Sequence, residues 1–495
     1  MEAIHRSIYG RLIYMLLRPA TLFDREREWG ELSKFVTDSG SENRLAIVLG
    51  RRRQGKSMLI RHIVDATSGF YFEAAQQSSA QNLADFSDSW NRSHGGDGRS
   101  FPTWRSVVEH LGNREPSNTA DVIVLDEVGF LIDSAPELPS LLQRLFTEAP
   151  AAGLRVILCG SAFAQMRRLL APSAPLRGRQ HRTLQVDPFD YRTAASFWGL
   201  DTNPDVAFQL HALIGGTPAY RRFTTDSPLP TGDIDDFVTR FLLEPSSVLY
   251  GEGRAVVTED KSLADKALYW AVLNAVADGA SRRSEIADLL DRPDSALHVP
   301  IETLVAAALI EKRPDPFNRR ATTFVLAEPM LRTERILLAP ERARIERGRA
   351  HAVWEDAQPR VARRIFGPHL EWMAAEWLLS FASPATTGGE IRSAGPAVFT
   401  RGGVRSQLDV VAVAPDQHDV DRICLIGECK AGSDPVGRHE LERLDSIAND
   451  LGQRAAPTVK RLLVALTGFT AELRRLARSR PEVELADVSR LYHGA

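Results

Sequence analysis

One segment constrains the fold of this 495-residue chain more than any other: the sequence GRRRQGKS at positions 50–57. It fits the pattern GxxxxGK[ST], follows the apolar run LAIVLG at 45–50, and precedes a run with helical spacing. In that context the two glycines let the backbone curl, so that its N–H groups surround a phosphate at the start of a helix. The sequence therefore predicts a phosphate-binding loop between a buried strand and a helix.

The residue types of this loop assign its roles. Lys56 would place a positive charge near the β- and γ-phosphates of a nucleotide, and the Ser57 hydroxyl would ligate Mg²⁺. A chance glycine-rich turn is the alternative, and a second motif argues against it. The predicted nucleotide-binding residues in the loop are Gly50, Arg51, Arg52, Arg53, Gln54, Gly55, Lys56 and Ser57.

The second motif is VIVLDE at 122–127, an apolar run that ends in two acidic residues. At the end of a buried strand, Asp126 supplies a carboxylate for the Mg²⁺ site, and Glu127 can polarise the attacking water. Alone, an acidic pair at this place would be only a helix cap. Together the two motifs predict ATP and Mg²⁺ as cofactors and ATP hydrolysis as an activity.

These motifs and four further segments resemble the archaeal-type ATPase family, a branch of the signal-transducing P-loop ATPases related to AAA+ proteins. The resemblance implies that Arg25 lies by the adenine, that a polar sensor follows the next strand, and that Arg179 approaches the γ-phosphate as a catalytic residue. There are simpler alternatives for two of these segments. Arg177 and Arg179 could be solvated surface charges, and the glycines at 215 and 216 could only end a helix. The segments are LFDRERE at 22–28, CGS at 159–161, APLRGR at 174–179 and GGTPAY at 215–220.

A second constellation lies near the C-terminus, in QLDVV at 407–411 and GECK at 427–430. The two-residue period of a strand puts Glu428 and Lys430 on one face and Cys429 on the other, and Asp409 joins them if the two strands pair. Asp409 and Glu428 would hold Mg²⁺ or Mn²⁺, and Lys430 would orient or deprotonate water. Two carboxylates and an amine in this arrangement suit metal-assisted phosphodiester hydrolysis.

This pattern is similar to the D…ExK motif of the restriction-endonuclease-like superfamily, and archaeal-type ATPases often end in such a domain. The resemblance implies a further acidic metal ligand upstream, for which Glu371 is predicted and Glu376 could serve equally. The alternative is a salt bridge of Lys430 with Glu428 or Asp409 on an exposed sheet face.

Residues 264–325 show three helical runs and a hairpin-like stretch, the outline of a winged helix. Residues 282–320 carry seven basic and seven acidic side chains, and the helix that would read DNA has no Arg or Lys before its end. Sequence-specific DNA reading needs such donors. Arg319 and Arg320 could contact a phosphate backbone, and a protein or interdomain contact is an equal alternative.

We predict a multidomain α/β protein: a parallel P-loop sheet with helices on both faces and a helical lid, a winged helix, and a C-terminal α/β nuclease-like domain. The predicted boundaries are an N-terminal segment (1–20), the ATPase domain with its lid (21–255), the winged helix (256–330), a helical connector (331–354) and the nuclease-like domain (355–495).

Composition limits the class of protein. The formal net charge is −3, so no basic excess indicates nucleic acid, and three cysteines cannot form a disulfide framework. The sequence contains no uninterrupted run of about 18 apolar residues, so it predicts no membrane span.

We expect a cytoplasmic ATP-hydrolysing switch that is coupled to a nuclease-like domain. DNA is favoured over RNA as its nucleic acid, and the oligomeric state is left open. The alternative is a regulatory or scaffold ATPase whose C-terminal domain binds DNA or a protein without cleavage.

Overall fold

The computed structural model describes residues 4–8, 11–38, 40–96, 98–114, 121–148, 153–161, 163–224, 233–259, 263, 265–316, 318–401 and 404–495. The chain forms two compact units. The first comprises Met1–Pro188 with the short segments Asp260–Ser262 and Ala306–Ala308, and the second comprises Phe189–Glu259, Leu263–Val305 and Leu309–Ala495. None of the described helices is long and apolar enough to cross a membrane.

The first unit is built on a five-stranded parallel sheet in the order β4-β5-β6-β3-β7, beside a separate antiparallel hairpin, β1-β2. Its strands are β1 (Ile4–Ile8), β2 (Arg11–Met15), β3 (Arg44–Leu49), β4 (Phe70–Glu73), β5 (Asp121–Asp126), β6 (Leu154–Gly160) and β7 (Gln180–Gln185). Its helices are α1 (Glu26–Thr37), α2 (Lys56–Thr67), α3 (Ser79–Ser93), α4 (Trp104–Gly112), α5 (Val128–Ser134), α6 (Leu138–Thr147) and α7 (Phe163–Arg168).

Helices cover both faces of this sheet, as the apolar runs predicted. Leu45, Ile47 and Leu49 of β3 belong to one core cluster, whereas Ala46 and Val48 belong to another on the opposite face. The strand order also places β6 between β3 and β5. Since the strands are parallel, the segments that follow β5, β6 and β3 meet at one edge of the sheet, which is where ligands bind in open α/β sheets.

The second unit is mainly helical before its C-terminal sheet. Its helices are α8 (Tyr191–Trp198), α9 (Pro204–Ile214), α10 (Ala219–Arg222), α11 (Ile234–Phe237), α12 (Val248–Thr258), α13 (Lys266–Ala277), α14 (Arg283–Leu289), α15 (His298–Ala306), α16 (Pro329–Thr333), α17 (Ala339–Ile345), α18 (Ala350–Val361), α19 (Gly367–Ser380), α20 (Pro384–Thr387), α21 (Arg438–Asp450), α22 (Ala471–Ser479) and α23 (Val488–His493). π-helical turns span Val238–Leu242, Glu334–Leu338 and Ala362–Phe366, and 3₁₀ turns span Asp294–Leu297 and Gly452–Arg454.

Two sheets complete the second unit. An antiparallel hairpin of β8 (Ile310–Asp315) and β9 (Asn318–Leu326) follows α13, α14 and α15. The C-terminal mixed sheet has the order β10-β11-β12-β13-β14, antiparallel from β10 to β12 and parallel from β12 to β14. Its strands are β10 (Ser393–Arg401), β11 (Val404–Pro415), β12 (Asp421–Lys430), β13 (Ala455–Ala465) and β14 (Val483–Asp487).

One hydrophobic cluster runs through the second unit, from Tyr191 of α8 to Tyr492 of α23. Residues 189–255, which the sequence placed in the ATPase domain with its lid (21–255), lie in the second unit together with the C-terminal sheet. The connector also contributes to this cluster, because its consecutive residues Ile336, Leu337 and Leu338 are all buried.

Candidate functional site

The loop at 50–57 joins β3 to α2, and its two framing glycines are both required by geometry. Gly55 precedes α2 with φ at 87°, in the left-handed region that favours glycine. A Cβ added to Gly50 would lie 2.4 Å from the carbonyl oxygen of Val186. The backbone N–H groups at the start of α2 are thus directed to a site that suits an anion.

Lys56 is the charged residue that this loop encloses. Only 5% of the residue is exposed, and its Nζ donates to the carbonyl oxygen of Arg51 at 2.7 Å. Burial lowers the pKa of the ammonium, while the charges of Asp126 and Glu127 oppose that shift. A buried ammonium beside a helix N-terminus is a site for a phosphate group, which supplies the counter-charge.

The Asp126 carboxylate, at the end of β5, is held at both oxygens. Its Oδ1 accepts a hydrogen bond from the Glu127 N–H at 2.8 Å, and its Oδ2 accepts one from the Tyr71 hydroxyl at 2.7 Å. Burial and then the bond to Asp126 raise the pKa of Tyr71, so the phenol stays a donor. Sequence analysis missed Tyr71, and the signal would have been a tyrosine in β4, the strand that pairs with β5.

Glu127 follows β5 in the left-handed conformation, with φ at 50°. The hydroxyl of Ser161, just after β6, lies 2.8 Å from both oxygens of the Glu127 carboxylate and donates to it. The Arg52 Nε in turn donates to the Ser161 Oγ at 3.4 Å. The structure thus brings together the candidate water-activating carboxylate, the polar residue after β6 and one arginine of the loop.

The two other arginines assigned from the resemblance lie in different surroundings. Arg25 is 6% exposed and donates through Nη2 to the carbonyl oxygens of Gln54, at 3.2 Å, and Asp187, at 2.7 Å. It therefore supports the backbone of the phosphate loop. Arg179 lies in the turn before β7, where its Nη1 donates to the carbonyl oxygen of Arg177 at 3.1 Å.

The residues at this sheet edge fit Mg-ATP. Lys56 and the N–H groups of α2 suit the phosphates, and Ser57 in the first turn of α2 offers a hydroxyl for Mg²⁺. Asp126 is fixed where a carboxylate can hold the water shell of that ion. Bound Mg²⁺ supplies positive charge to the phosphates. Glu127 is the group of this chain that can orient a water for attack.

The second constellation lies in the C-terminal sheet, where the antiparallel pairing of β11 and β12 sets Val410 opposite Gly427. The Asp409 Oδ2 accepts a hydrogen bond from the Cys429 N–H at 2.9 Å. The Lys430 Nζ donates to the Glu428 Oε1 at 2.9 Å. The structure therefore brings Asp409, Glu428 and Lys430 together on the paired strands, and their role as a metal site stays a prediction.

Two buried carboxyl groups near this constellation carry shifted pKa values. Burial, and then the charge of Glu428, raise the pKa of Asp409 to about 6. Burial, and then the charge of Asp409, raise the pKa of Glu371 to about 8. Both shifts arise because negative charge is crowded into a place of low solvation, which a bound cation would relieve.

Arg443 of α21 is a component that sequence analysis missed. Its Nη1 forms an ion pair with the Glu428 Oε2, and its Nη2 donates to the carbonyl oxygen of Gln407 at 2.8 Å. Glu428 is 6% exposed, and its second oxygen is bonded to Lys430. Helical spacing could place Arg443 on a face of α21, but only the packing of α21 on β12 brings it to Glu428.

Glu371, the predicted third ligand, lies on α19 near Asp409 and Glu428. Within the ranges that the structure describes, no group of three or more His, Cys, Asp or Glu side chains could hold a metal ion. The role of Glu371 as a metal ligand beside Asp409 and Glu428 stays a prediction, and in this structure both oxygens of Glu428 are bonded to cationic side chains. Glu376, the other candidate, pairs with Arg313 of β8 at 2.6 Å.

The helices at 266–306 expose apolar side chains. Leu289 at the end of α14 is 62% exposed, and Val299 near the start of α15 is 68% exposed. The side chains of Arg319 and Arg320, the predicted phosphate contacts, lie outside the described residues. The winged-helix assignment of this segment stays a prediction.

Residues 22–219 match the model of a family described as an ATPase domain predominantly from Archaea. No curated protein matches the chain. Among solved structures, a Walker-type ATPase of Pyrococcus abyssi is 20% identical with a TM-score of 0.47, and the match covers 64% of this chain and 98% of that one. The ORC2 protein of Aeropyrum pernix, in ADPNP–ADP complexes, is 17% identical with a TM-score of 0.34, over 63% and 90% of the two chains.

A STAND protein of Pyrococcus horikoshii with a tetratricopeptide repeat sensor is 14% identical, with a TM-score of 0.26. That match covers 74% of this chain and 52% of the other, so this chain spans about half of its length. The prediction of a P-loop ATPase core is confirmed by the family match, and the parallel sheet and the loop at its edge agree with it. Residues 22–219 of this chain are therefore similar to an ATPase domain found predominantly in Archaea.

Proposed function

We propose that this chain is an ATP-hydrolysing switch whose C-terminal sheet belongs to a nuclease-like domain that cleaves DNA with a divalent metal ion. The observation that carries the second half of this proposal is the meeting of Asp409, Glu428 and Lys430 on paired strands. The element order from α19 through β10, β11, β12 and α21 to β13 supports it, because it resembles the restriction-endonuclease-like arrangement that the D…ExK pattern indicates.

In the nucleotide site, different residues bind the phosphates, hold the Mg²⁺ water shell and orient the attacking water. Lys56 and the N–H groups of α2 hold the phosphates, and Asp126, fixed by Tyr71, holds the Mg²⁺ water shell. Glu127 orients the attacking water when its carboxylate leaves Ser161. The bond between Ser161 and Glu127 therefore represents a resting arrangement of the switch.

In the C-terminal site, Asp409 and Glu428 would hold Mg²⁺ or Mn²⁺, and that ion supplies positive charge to the phosphodiester and its attacking water. Lys430, already 2.9 Å from Glu428, orients that water. With Glu428 holding an ion, Arg443, which pairs with Glu428 in this structure, would be available to contact a phosphate oxygen. The ATP state of the first unit sets whether this exchange occurs.

The test is cleavage of a supercoiled plasmid with Mg²⁺ or Mn²⁺, with and without ATP. Wild type, Lys430→Ala, Asp409→Asn and Lys56→Ala are compared. We expect nicking that is lost in the first two variants and loses its response to ATP in the third. Lys460→Ala is the matched control, because Lys460 lies in the same sheet but pairs with Glu484.

Each outcome decides between the halves of the proposal. If Lys430→Ala still nicks the plasmid, the nuclease activity comes from a contaminant or from another site of the protein. ATP turnover by wild type without any nicking would refute the nuclease half and leave the ATPase intact. Absence of ATP turnover in folded wild type, or turnover that is unchanged in Lys56→Ala, would refute the first half.

A second candidate function is a switch that binds DNA or a protein without cutting. The observation that favours it is that both oxygens of Glu428 are engaged by Lys430 and Arg443, as in a purely structural ion-pair cluster. Exposed Val299, together with the equal numbers of basic and acidic residues at 282–320, favours a protein contact at that segment. Fluorescence anisotropy of a labelled duplex, measured with ATP and with ADP, separates binding without cleavage from no binding.

A further inference from the structure

The outer face of α22 concentrates positive charge beside the C-terminal sheet. On the inner face of this helix, Leu473 is part of the hydrophobic core on one side of the sheet, and Ala477 packs against the same core. Residues four apart share a face of a helix, so these two side chains fix which face is turned outward. The opposite face exposes three arginines, Arg474, Arg475 and Arg478.

Little of this charge is neutralised by the described residues. Glu472 is the acidic residue of α22, and it pairs with Arg438 of α21 at 3.5 Å. Arg475 and Arg478 form no ion pair with any residue that the structure describes. The guanidinium groups of this face are therefore available to an anionic partner from outside the chain.

Arg474 connects the face to the loop that precedes α22. Its Nε donates to the Phe469 carbonyl oxygen at 3.2 Å, and its guanidinium carbon lies 5.6 Å from the centre of the Phe469 ring. This bond uses Nε and leaves the two Nη groups for another acceptor, since within the described ranges they form no hydrogen bond. Arg474 is thus both anchored and able to bind a further oxygen.

The start of α22 lies at the same edge of the sheet as Lys430. The Leu466 N–H, just after β13, donates to the Lys430 carbonyl oxygen at 3.1 Å. The loop that follows Lys430 is bonded to the loop that leads into α22, because the Val436 N–H donates to the Gly468 carbonyl oxygen at 2.9 Å. The first turn of α22 therefore lies beside the candidate C-terminal site.

A second connection between this site and α22 runs through α21. The Glu440 Oε2 lies 3.6 Å from the Lys430 Nζ, and Arg438 pairs with Glu472 of α22. Two residues in the first turn of α21 thus contact the candidate site and α22, respectively. A polymer that lies along α22 would pass close to Lys430.

The chemistry of the face favours a phosphate backbone over a protein surface. Guanidinium groups bind phosphate oxygens through paired N–H donors. Protein interfaces are centred on buried apolar or aromatic anchors, and none of the exposed large apolar side chains of the described residues lies in α21 or α22. Arg474 and Arg478 are one turn apart, about 6 Å, and phosphates of one DNA strand are spaced about 3.4 Å along the axis. Each arginine can therefore contact a different phosphate.

We propose that the face formed by Arg474, Arg475 and Arg478 binds the phosphate backbone of a nucleic-acid duplex and holds it against the candidate C-terminal site. The placement of the duplex rests on the proposed function, since that site is what would act on it. Backbone contacts do not depend on base sequence. The formal net charge of −3 does not oppose this binding, because salt screens distant charges beyond about 10 Å at 0.1 M.

The test is fluorescence anisotropy of a labelled DNA duplex with the full-length protein in EDTA, over a series of NaCl concentrations. We expect the logarithm of the affinity to fall linearly with the logarithm of the salt concentration. Arg475→Ala and Arg478→Ala should each weaken binding and lower the steepness of that line by about 1, as one lost phosphate contact predicts. A labelled RNA duplex is the parallel arm, and the same loss with RNA assigns the contact to the phosphates that both polymers share.

The matched control is Arg349→Ala, which removes one exposed arginine of the connector and changes the net charge equally. We expect its affinity and its salt dependence to equal those of wild type. Thermal denaturation shows whether each variant is folded. Arg475 and Arg478 are exposed in a helix, where alanine is well tolerated.

Unchanged affinity and salt dependence in Arg475→Ala and Arg478→Ala would overturn the proposal, as would an equal loss in Arg349→Ala. Failure of folded wild type to bind either duplex would also overturn it and would indicate an acidic protein as the partner. Binding confined to the RNA duplex would keep this surface and refute DNA as the substrate.

Plasmid nicking tests the proposed function separately. Binding that depends on the α22 arginines, without nicking in Mg²⁺ or Mn²⁺, would refute the nuclease and support this surface. Nicking that is unchanged in Arg475→Ala and Arg478→Ala, with unchanged binding, would keep the nuclease and refute the surface.

Discussion

Two hydroxyl groups control the candidate catalytic carboxylates of the ATPase domain. Tyr71 binds Asp126, and Ser161 binds Glu127, each through a neutral donor. A neutral donor fixes the direction of a carboxylate without cancelling its charge, so each group stays available to a metal-bound water or to an attacking water. Hydrogen bonding of this kind positions the site before ATP arrives.

Glu127→Gln removes the group that can take a proton from the attacking water but keeps its size. We expect ATP turnover to fall by roughly 100-fold or more, with ATP binding retained. Phosphate release and the affinity for a fluorescent ATP analogue measure the two effects separately. Glu148→Gln, which changes an exposed glutamate at the end of α6, is the control. Turnover at the wild-type rate in Glu127→Gln would show that another group activates the water.

Tyr71→Phe removes only the hydroxyl that holds the Asp126 Oδ2. We expect ATP turnover to fall several-fold and the Mg²⁺ concentration for half-maximal turnover to rise, because Asp126 loses its fixed orientation. A merely structural role would change thermal stability and leave the Mg²⁺ dependence alone. Tyr492→Phe is the matched control, since within the described residues the buried Tyr492 hydroxyl has no hydrogen-bond partner. An unchanged Mg²⁺ dependence in Tyr71→Phe would remove Tyr71 from the metal site.

At the scale of elements, local sequence predicted the parallel sheet well and the helical connections poorly. Three strands of that sheet, β3, β5 and β6, are continuous apolar runs. Their burial can be predicted because a stretch of six or seven residues is enough to show the apolar run. The connector turn Glu334–Leu338 buries three consecutive residues. An amphipathic pattern cannot indicate this, because successive helical residues point about 100° apart and all three are buried only when neighbours surround the turn.

Some residues of the two candidate sites could be predicted from the sequence, and others could not. The loop residues and the Asp409, Glu428 and Lys430 set follow from motif and strand period, so sequence could name them. Tyr71 and Arg443 could not be named, because each contact depends on which strand or helix packs beside which. Burial of Glu428 against α21 is likewise a property of packing, and it places the carboxylate in an ion-pair cluster with Lys430 and Arg443.

The turn at Gly216 gives a test at this scale. A Cβ at Gly216 would lie 1.9 Å from the carbonyl oxygen of Phe189, whose N–H bonds to the Gly216 carbonyl oxygen at 2.9 Å. We expect Gly216→Ala to destabilise the protein by roughly 2 kcal/mol or more, because backbone must move. Denaturant titration measures the loss.

Gly251→Ala is the paired control. Gly251 lies within α12, and a Cβ added there meets nothing within 4 Å. Alanine in a helix interior is favoured over glycine by about 0.5 to 1 kcal/mol, so this variant should be at least as stable as wild type. If both alanine variants unfold at the same denaturant concentration, the close contact at Gly216 is not rigid.

At the scale of the whole molecule, the second unit places a buried histidine pair in its core. The His211 Nδ1 of α9 lies 3.0 Å from the His369 Nε2 of α19. Burial lowers the pKa of His211 to about 4 and that of His369 well below its ordinary value. Both rings are therefore neutral at pH 7, and one donates to the other.

This pair predicts how stability depends on pH. The pKa of His211 is lower in the folded state than in the unfolded state, so its contribution is present above pH 6.5 and is lost as pH falls toward 4. Between pH 7 and pH 5 we expect the free energy of unfolding to fall on the order of 2 kcal/mol further in wild type than in His211→Gln. Urea titrations at the two pH values measure the difference. Equal slopes would show that His211 gains protons equally in both states.

The shared core of the second unit has a consequence for how such a protein can be assembled by recombination. The Tyr191 hydroxyl and the Arg192 guanidinium of α8 both donate to the Leu491 carbonyl oxygen of α23, nearly the full length of the unit away in sequence. A gene fragment encoding residues 355–495 alone would transfer the C-terminal sheet with α19 to α23 but without α8 and α9, which pack against α23. The portion that keeps this shared core when it is exchanged therefore begins at residue 189 and includes α8 and α9 together with the C-terminal sheet.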